Sequence, residues 1–148
     1  MPSTYTSLHY HIVFSTKNRE PLIADSWRPR LHEYLGGMVR GLDGHSLAIG
    51  GVADHVHLLV GLKASHCVAD FLRDLKKDAT HWVRDIANLR QFSWQEGYAA
   101  LTVSPTGLEA VREYVLNQEK HHQRRIFREE LIEMLQGAGI AFDARYLD

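Results

Sequence analysis

The chain has 148 residues, with 17 Lys and Arg against 18 Asp and Glu, and a formal net charge of −1. That length predicts one domain over residues 1–148, large enough for a real core. The near-neutral balance excludes a global basic field, so a nucleic-acid partner would have to be held by local patches. A single cysteine, Cys67, excludes an internal disulfide framework and suits a reducing compartment. The first residues lack a charged stretch followed by an apolar run, and no apolar run approaches the roughly 18 residues that span a bilayer. The expectation is a cytoplasmic protein with no membrane partner.

In chain order, residues 8–15 are rich in aromatic and β-branched types and predict a first strand, with His9 and His11 two residues apart. A polar turn carrying Lys17 and Arg19 follows. Leu31, Tyr34, Leu35 and Met38 recur at helical spacing, which predicts a helix over 27–40 closed by Gly41. Two strands, 45–52 and 55–62, form a hairpin around Ala53 and Asp54. Ser65 is a candidate N-cap for a long helix whose apolar face runs from Val68 to Ile86. Another face of that helix carries Arg73, Lys76, Lys77, Thr80 and Arg84. Asp70, Asp74 and Asp78 lie close enough to neutralise part of it.

Residues 92–104 predict one or two short strands. Pro105-Thr106-Gly107 breaks the chain before a helix from about Leu108 to His122. A last helix spans 128–136, stopped by Gly137, and residues 141–148 suggest a short extra strand. The order strand, helix, strand, strand, helix, strand is that of an α+β, ferredoxin-like split β-α-β fold. The sheet is expected to be mainly antiparallel with helices on one face, and extra C-terminal helices carry a tyrosine.

Two constellations carry chemistry. In Asp54-His55-Val56-His57-Leu58-Leu59-Val60, alternation on a strand puts His55 and His57 on one face and Val56 and Leu58 on the other. Two imidazoles on a rigid strand are a ready pair of metal ligands. On the helix, Tyr114 and Gln118 stand one above the other at i, i+4, and His121 and Arg125 extend the stripe. A helical tyrosine is most often a packing residue, but these neighbours are an amide and an imidazole rather than Leu or Val.

These residues resemble the single-tyrosine HUH transposases of small bacterial insertion sequences, whose relatives include the REP-associated tyrosine transposases. The resemblance runs through Tyr10 to Lys17, Asp54 to Val60, Trp94 to Tyr98, and Glu113-Tyr114-Val115-Leu116-Asn117-Gln118-Glu119, nearly the whole chain in order. It implies an enzyme that cleaves and rejoins single-stranded DNA at element ends. Tyr114 would be the nucleophile, forming a 5′-phosphotyrosine intermediate. His55, His57 and Gln118 would hold one divalent ion, Mg²⁺ or Mn²⁺. An ordinary phenol has a pKa near 10, so Tyr114 needs help to ionise. Implied DNA contacts are Lys17, Arg19, Arg73, Lys76, Lys77, His121, His122, Arg124 and Arg125. The implied partners are DNA hairpins at element ends and a second copy of the chain, as a homodimer that exchanges the tyrosine helix. His9 and His11 are not ligands in the family pattern, and a structural role is expected for them.

Rival readings are weaker. A histidine-triad hydrolase needs a further histidine where Leu59 stands. A non-haem iron site needs a carboxylate at a recognisable spacing, and the sequence shows none. A domesticated, non-cutting regulator that binds hairpin DNA is the alternative from a different class.

Overall fold

The structure, a computed structural model, describes residues 3–122 and 126–147. Four strands, β1 (His9–Ser15), β2 (His45–Gly51), β3 (His55–Gly61) and β4 (Ala99–Val103), make one sheet in the order β2-β3-β1-β4. Every neighbouring pair is antiparallel, so the expected ferredoxin-like sheet is present. Its first crossover is α1 (Arg28–Gly41) and its second is α2 (Val68–Asp85).

Alternation divides the sheet into two chemical faces. Ile12 and Phe14 of β1 and Val56, Leu58 and Val60 of β3 point to the same side, where they meet Leu31, Leu35 and Val39 of α1. Phe71, Leu72, Leu75, Ala79 and Val83 of α2 complete this core, in the i, i+3, i+4 spacing read from the sequence. Each large apolar side chain buried there contributes about 1.5–3 kcal/mol.

The helices are not all on that face. α3 (Leu108–Leu116) lies on the opposite side, where Val115 packs on Ala48 of β2 and Leu59 of β3. It reaches the sheet because β2 carries Gly50: a Cβ there would overlap the Val115 carbonyl oxygen. The expected continuous helix to His122 is broken at Asn117, whose side-chain Nδ2 donates to the Glu113 carbonyl at 2.8 Å. A separate short helix, α4 (Gln118–His122), follows, and then α5 (Phe127–Gly137).

Two other local expectations give way to side-chain hydrogen bonds. Ser65 does not cap α2, which starts at Val68 after Cys67. His66 instead ties the preceding turn, accepting from the Lys63 amide at 2.8 Å and donating to the Leu42 carbonyl at 2.7 Å. The tail is not a strand: Ala144–Tyr146 is a 3-10 turn, held by Asp143 accepting from the Arg145 amide. The one or two short strands expected over 92–104 are β4 and an antiparallel bridge from Trp94 to Thr16. Among the described residues no helix is long and apolar enough to cross a membrane.

Two outcomes are expected from this packing. Gly50→Ala should cost about 1–3 kcal/mol through overpacking and lower the melting temperature. Gly37→Ala, at an exposed helical position where the nearest atom to a new Cβ is 3.7 Å away, should be neutral or stabilising. The second outcome concerns acid. Burial, and then the neighbouring Arg28 charge, lower His32 from 6.5 to about 4. Between those values the unfolded chain takes up a proton that the folded chain refuses. Stability is therefore full above the unfolded pKa and falls as pH drops, by about 2 kcal/mol at pH 5. Thermal melts at pH 7 and pH 5 should show that loss, and His32→Gln should shrink it. An equal loss in both proteins would remove His32 as its source.

Candidate active site

The polar face of the sheet holds the site. His55 and His57 of β3 have no exposed surface, as the alternation requires for a face covered by α3, α4 and α5. Cross-strand register puts Val13 opposite His57, so His11, two residues earlier on the same face, is its diagonal neighbour. His11 Nε2 lies 2.8 Å from His57 Nδ1, and the two rings stack with centroids 5.0 Å apart. His9 stays at the strand end, with Nδ1 3.3 Å from the Ser7 hydroxyl.

Tyr114 comes down from α3 onto these rings. Its ring stands edge-on to His57 at 5.7 Å and to His11 at 5.9 Å between centroids, within the same chain. Gln118, 1% exposed, is turned inward by the break at Asn117. Its Nε2 donates to the Tyr114 carbonyl at 3.0 Å, which aims its Oε1 at His55 Nε2, 3.4 Å away.

A fourth group was not legible as a ligand in the sequence. Glu130 of α5 is 1% exposed. Its Oε1 lies 2.9 Å from His57 Nε2 and 3.7 Å from His55 Nε2. One turn earlier, Phe127 stacks flat on the His55 ring, with centroids 4.0 Å apart and planes inclined by 14°. The carboxylate judged missing for a two-histidine, one-carboxylate site is therefore supplied from far along the chain. A signal existed: Phe127, Leu131, Met134 and Leu135 form an apolar stripe with Glu130 set inside it.

These donors fit a divalent cation. The ligating atoms of His55, His57 and Glu130 lie within 4.8 Å of one another. Asp54 Oδ1, 2.7 Å from His55 Nδ1, is placed to accept a proton from that nitrogen and turns Nε2 toward the oxygens of Gln118 and Glu130. Nitrogen and oxygen ligands gathered around a buried carboxylate suit a cation that joins them. Two imidazoles, a carboxylate and an amide oxygen suit Mn²⁺ better than the harder Mg²⁺.

The cations expected to meet DNA are placed unequally. Lys17 and Lys77 are exposed. Arg19 has a positive φ of 52°, costly for a residue with a Cβ, and its guanidinium lies 5.5 Å from the Phe127 ring centroid, at the margin of the site. Arg73 is paired with Asp70 and Asp74. Lys76 is half-buried and its ammonium donates to the carbonyls of Gln95, Glu96 and Gly97 at 2.5, 3.1 and 3.1 Å. Burial lowers its pKa below the usual lysine value, and Glu96 partly opposes this. Arg124 and Arg125, and the side chains of His121 and His122, lie outside the described residues.

The family described as "Transposase IS200 like" matches residues 4–118. Glu130 and Phe127 lie beyond the matched segment. Among solved structures, a candidate transposase from Deinococcus radiodurans R1 superposes with a TM-score of 0.66 at 26% identity, over 80% of this chain and 95% of that one. A REP-associated tyrosine transposase bound to a REP hairpin superposes with a TM-score of 0.57 at 15% identity, over 78% of this chain and 68% of that one. The latter likeness is one of fold. No curated protein matches the chain.

Calorimetric titration with Mn²⁺ checks the donor set. Glu130→Gln and Gln118→Ala should each weaken binding by more than about tenfold, at least what a lost supporting contact typically costs. His57→Ala should abolish it. Wild-type affinity in Glu130→Gln would take Glu130 out of the set.

Proposed function

The chain belongs to the IS200-like transposase family, and we propose that it cleaves and rejoins single-stranded DNA through a covalent bond to Tyr114. The observation that carries this reading is the position of the Tyr114 ring against His57 and His11, above the converging donors. The phenol oxygen attacks a backbone phosphorus and forms a tyrosyl–phosphate ester. The bond from phosphorus to the 3′-oxygen breaks, and that oxygen takes a proton and leaves as a free 3′-hydroxyl. Attack by a 3′-hydroxyl on the 5′-phosphotyrosine reverses the step and restores the phenol. The ester conserves the bond energy, so rejoining needs no nucleotide cofactor.

A divalent ion, Mn²⁺ or Mg²⁺, held by His55, His57, Gln118 and Glu130, would polarise the scissile phosphate and offset its developing charge. The chain's own contribution is orientation. Asp54 fixes the proton of His55, the Tyr114 carbonyl fixes the amide of Gln118, and helix α3 delivers the phenol. The resemblance implied that a homodimer exchanges the tyrosine helix. Here Tyr114 stands beside its own histidines, which supports attack within one subunit whether or not two chains pair.

For the DNA, Lys17, Arg19 and Lys77 are the cations we assign to phosphate contacts, with Arg73 joining them at the cost of its pairs with Asp70 and Asp74. Lys76 serves there by holding the 95–97 loop. The REP hairpin carried by one structural neighbour supports a hairpin at the element end as the recognised feature. The same tandem donor set could serve a non-haem iron enzyme, but that reading leaves Tyr114 without a task.

The test is covalent capture. Labelled single strands from the flanks of the gene, incubated with the protein and Mn²⁺, should give a shifted band on a denaturing gel. EDTA should remove it and Tyr114→Phe should abolish it. Retained hairpin binding with no adduct from the wild-type chain would identify a non-cutting regulator instead.

A further inference from the structure

Each histidine of the pair has a dedicated partner on the nitrogen turned away from the donors. For His55 it is the Asp54 carboxylate, 2.7 Å from Nδ1. For His57 it is another imidazole, His11, whose Nε2 lies 2.8 Å from Nδ1. We propose that His11 is a positioning residue, which holds the His57 ring through Nδ1 so that Nε2 is presented to a cation beside Glu130. The proposal rests on the metal reading of the site given above.

Glu130 Oε1 lies 2.9 Å from His57 Nε2, and His11 Nε2 lies on the other ring nitrogen, Nδ1. A cation on Nε2 requires the proton on Nδ1, where a hydrogen bond must receive it. His11 Nε2 can receive it only if His11 is neutral with its own proton on Nδ1. His11 is 6% exposed, and burial disfavours a charged imidazolium. The Tyr114 ring packs edge-on against both imidazoles, so the same contact also sets the surface on which the phenol rests.

An apolar explanation for His11 fails on geometry. A residue needed only to fill space between Val13 and Tyr114 would not have a ring nitrogen at 2.8 Å from an imidazole nitrogen. Leu59, which faces His11 across the strands, fills its share of that face without any polar atom.

Mn²⁺ affinity in wild type, His11→Phe and His11→Gln tests this, with thermal melts on all three. Phe keeps a ring and removes the acceptor; the amide oxygen of Gln falls close to the lost Nε2. Expected are a loss of roughly 10- to 100-fold in Phe, affinity within about threefold of wild type in Gln, and folded proteins throughout. A second readout is free of metal: nitrogen-15 NMR of labelled histidine should show one slowly exchanging proton coupled to nitrogens of both His11 and His57, absent in Phe. Wild-type affinity in His11→Phe overturns the proposal, and so does absence of the shared proton in the wild-type chain. Should the wild-type chain bind no Mn²⁺, the metal reading itself fails, and the role assigned to His11 falls with it.

Discussion

The arrangement on the polar face turns on a buried cluster of nitrogen and oxygen ligands. His55 Nε2, His57 Nε2, Gln118 Oε1 and Glu130 Oε1 converge on side chains with almost no exposed surface. Asp54 holds the far nitrogen of His55, and the Tyr114 carbonyl holds the amide of Gln118. In water such a cluster would disperse, and here the sheet and three helices hold it together. Burial therefore does double work in this fold, since it both stabilises the core on one side of the sheet and concentrates electron pairs on the other.

Delivery of the tyrosine depends on a backbone contact. Gly50 lets the end of α3 lie against β2 closely enough for the Val115 carbonyl to occupy the place of a side chain. The helix then breaks at Asn117, and the break rotates Gln118 into the site instead of leaving it directly above Tyr114. A straight helix would present both groups on one stripe. The broken one places the phenol over His57 and the amide over His55.

Charge is used locally. Lys76 is spent on three carbonyls, Arg84 donates to the Phe92 carbonyl at 2.9 Å, and Arg73 is paired with two carboxylates. The basic face of α2 is thus partly an internal brace for the loop before β4. In the first turn Lys17 is exposed, and Arg19 reaches the rim of the site over Phe127. Local placement of this kind lets a chain of net charge −1 still present positive patches.

Much of the protein was legible in its residues. Alternation placed His55 and His57 on one face of β3, and helical spacing marked the faces of α1 and α2. The strand and helix order specified the sheet, because those patterns are local and repeat every two or 3.6 residues. Tyr114 and Gln118 stood out as polar groups in a stripe that packing would have filled with Leu or Val. What the tertiary structure alone decided were contacts between residues remote in sequence. Glu130 reaches His57 across 73 positions and His11 reaches it across 46, and no periodicity within one element records such a pairing. The helix break at Asn117 and the turns at His66 and Asp143 were lost for a related reason. Each depends on a side chain that competes with the regular backbone ladder, and that competition is settled by what packs around it.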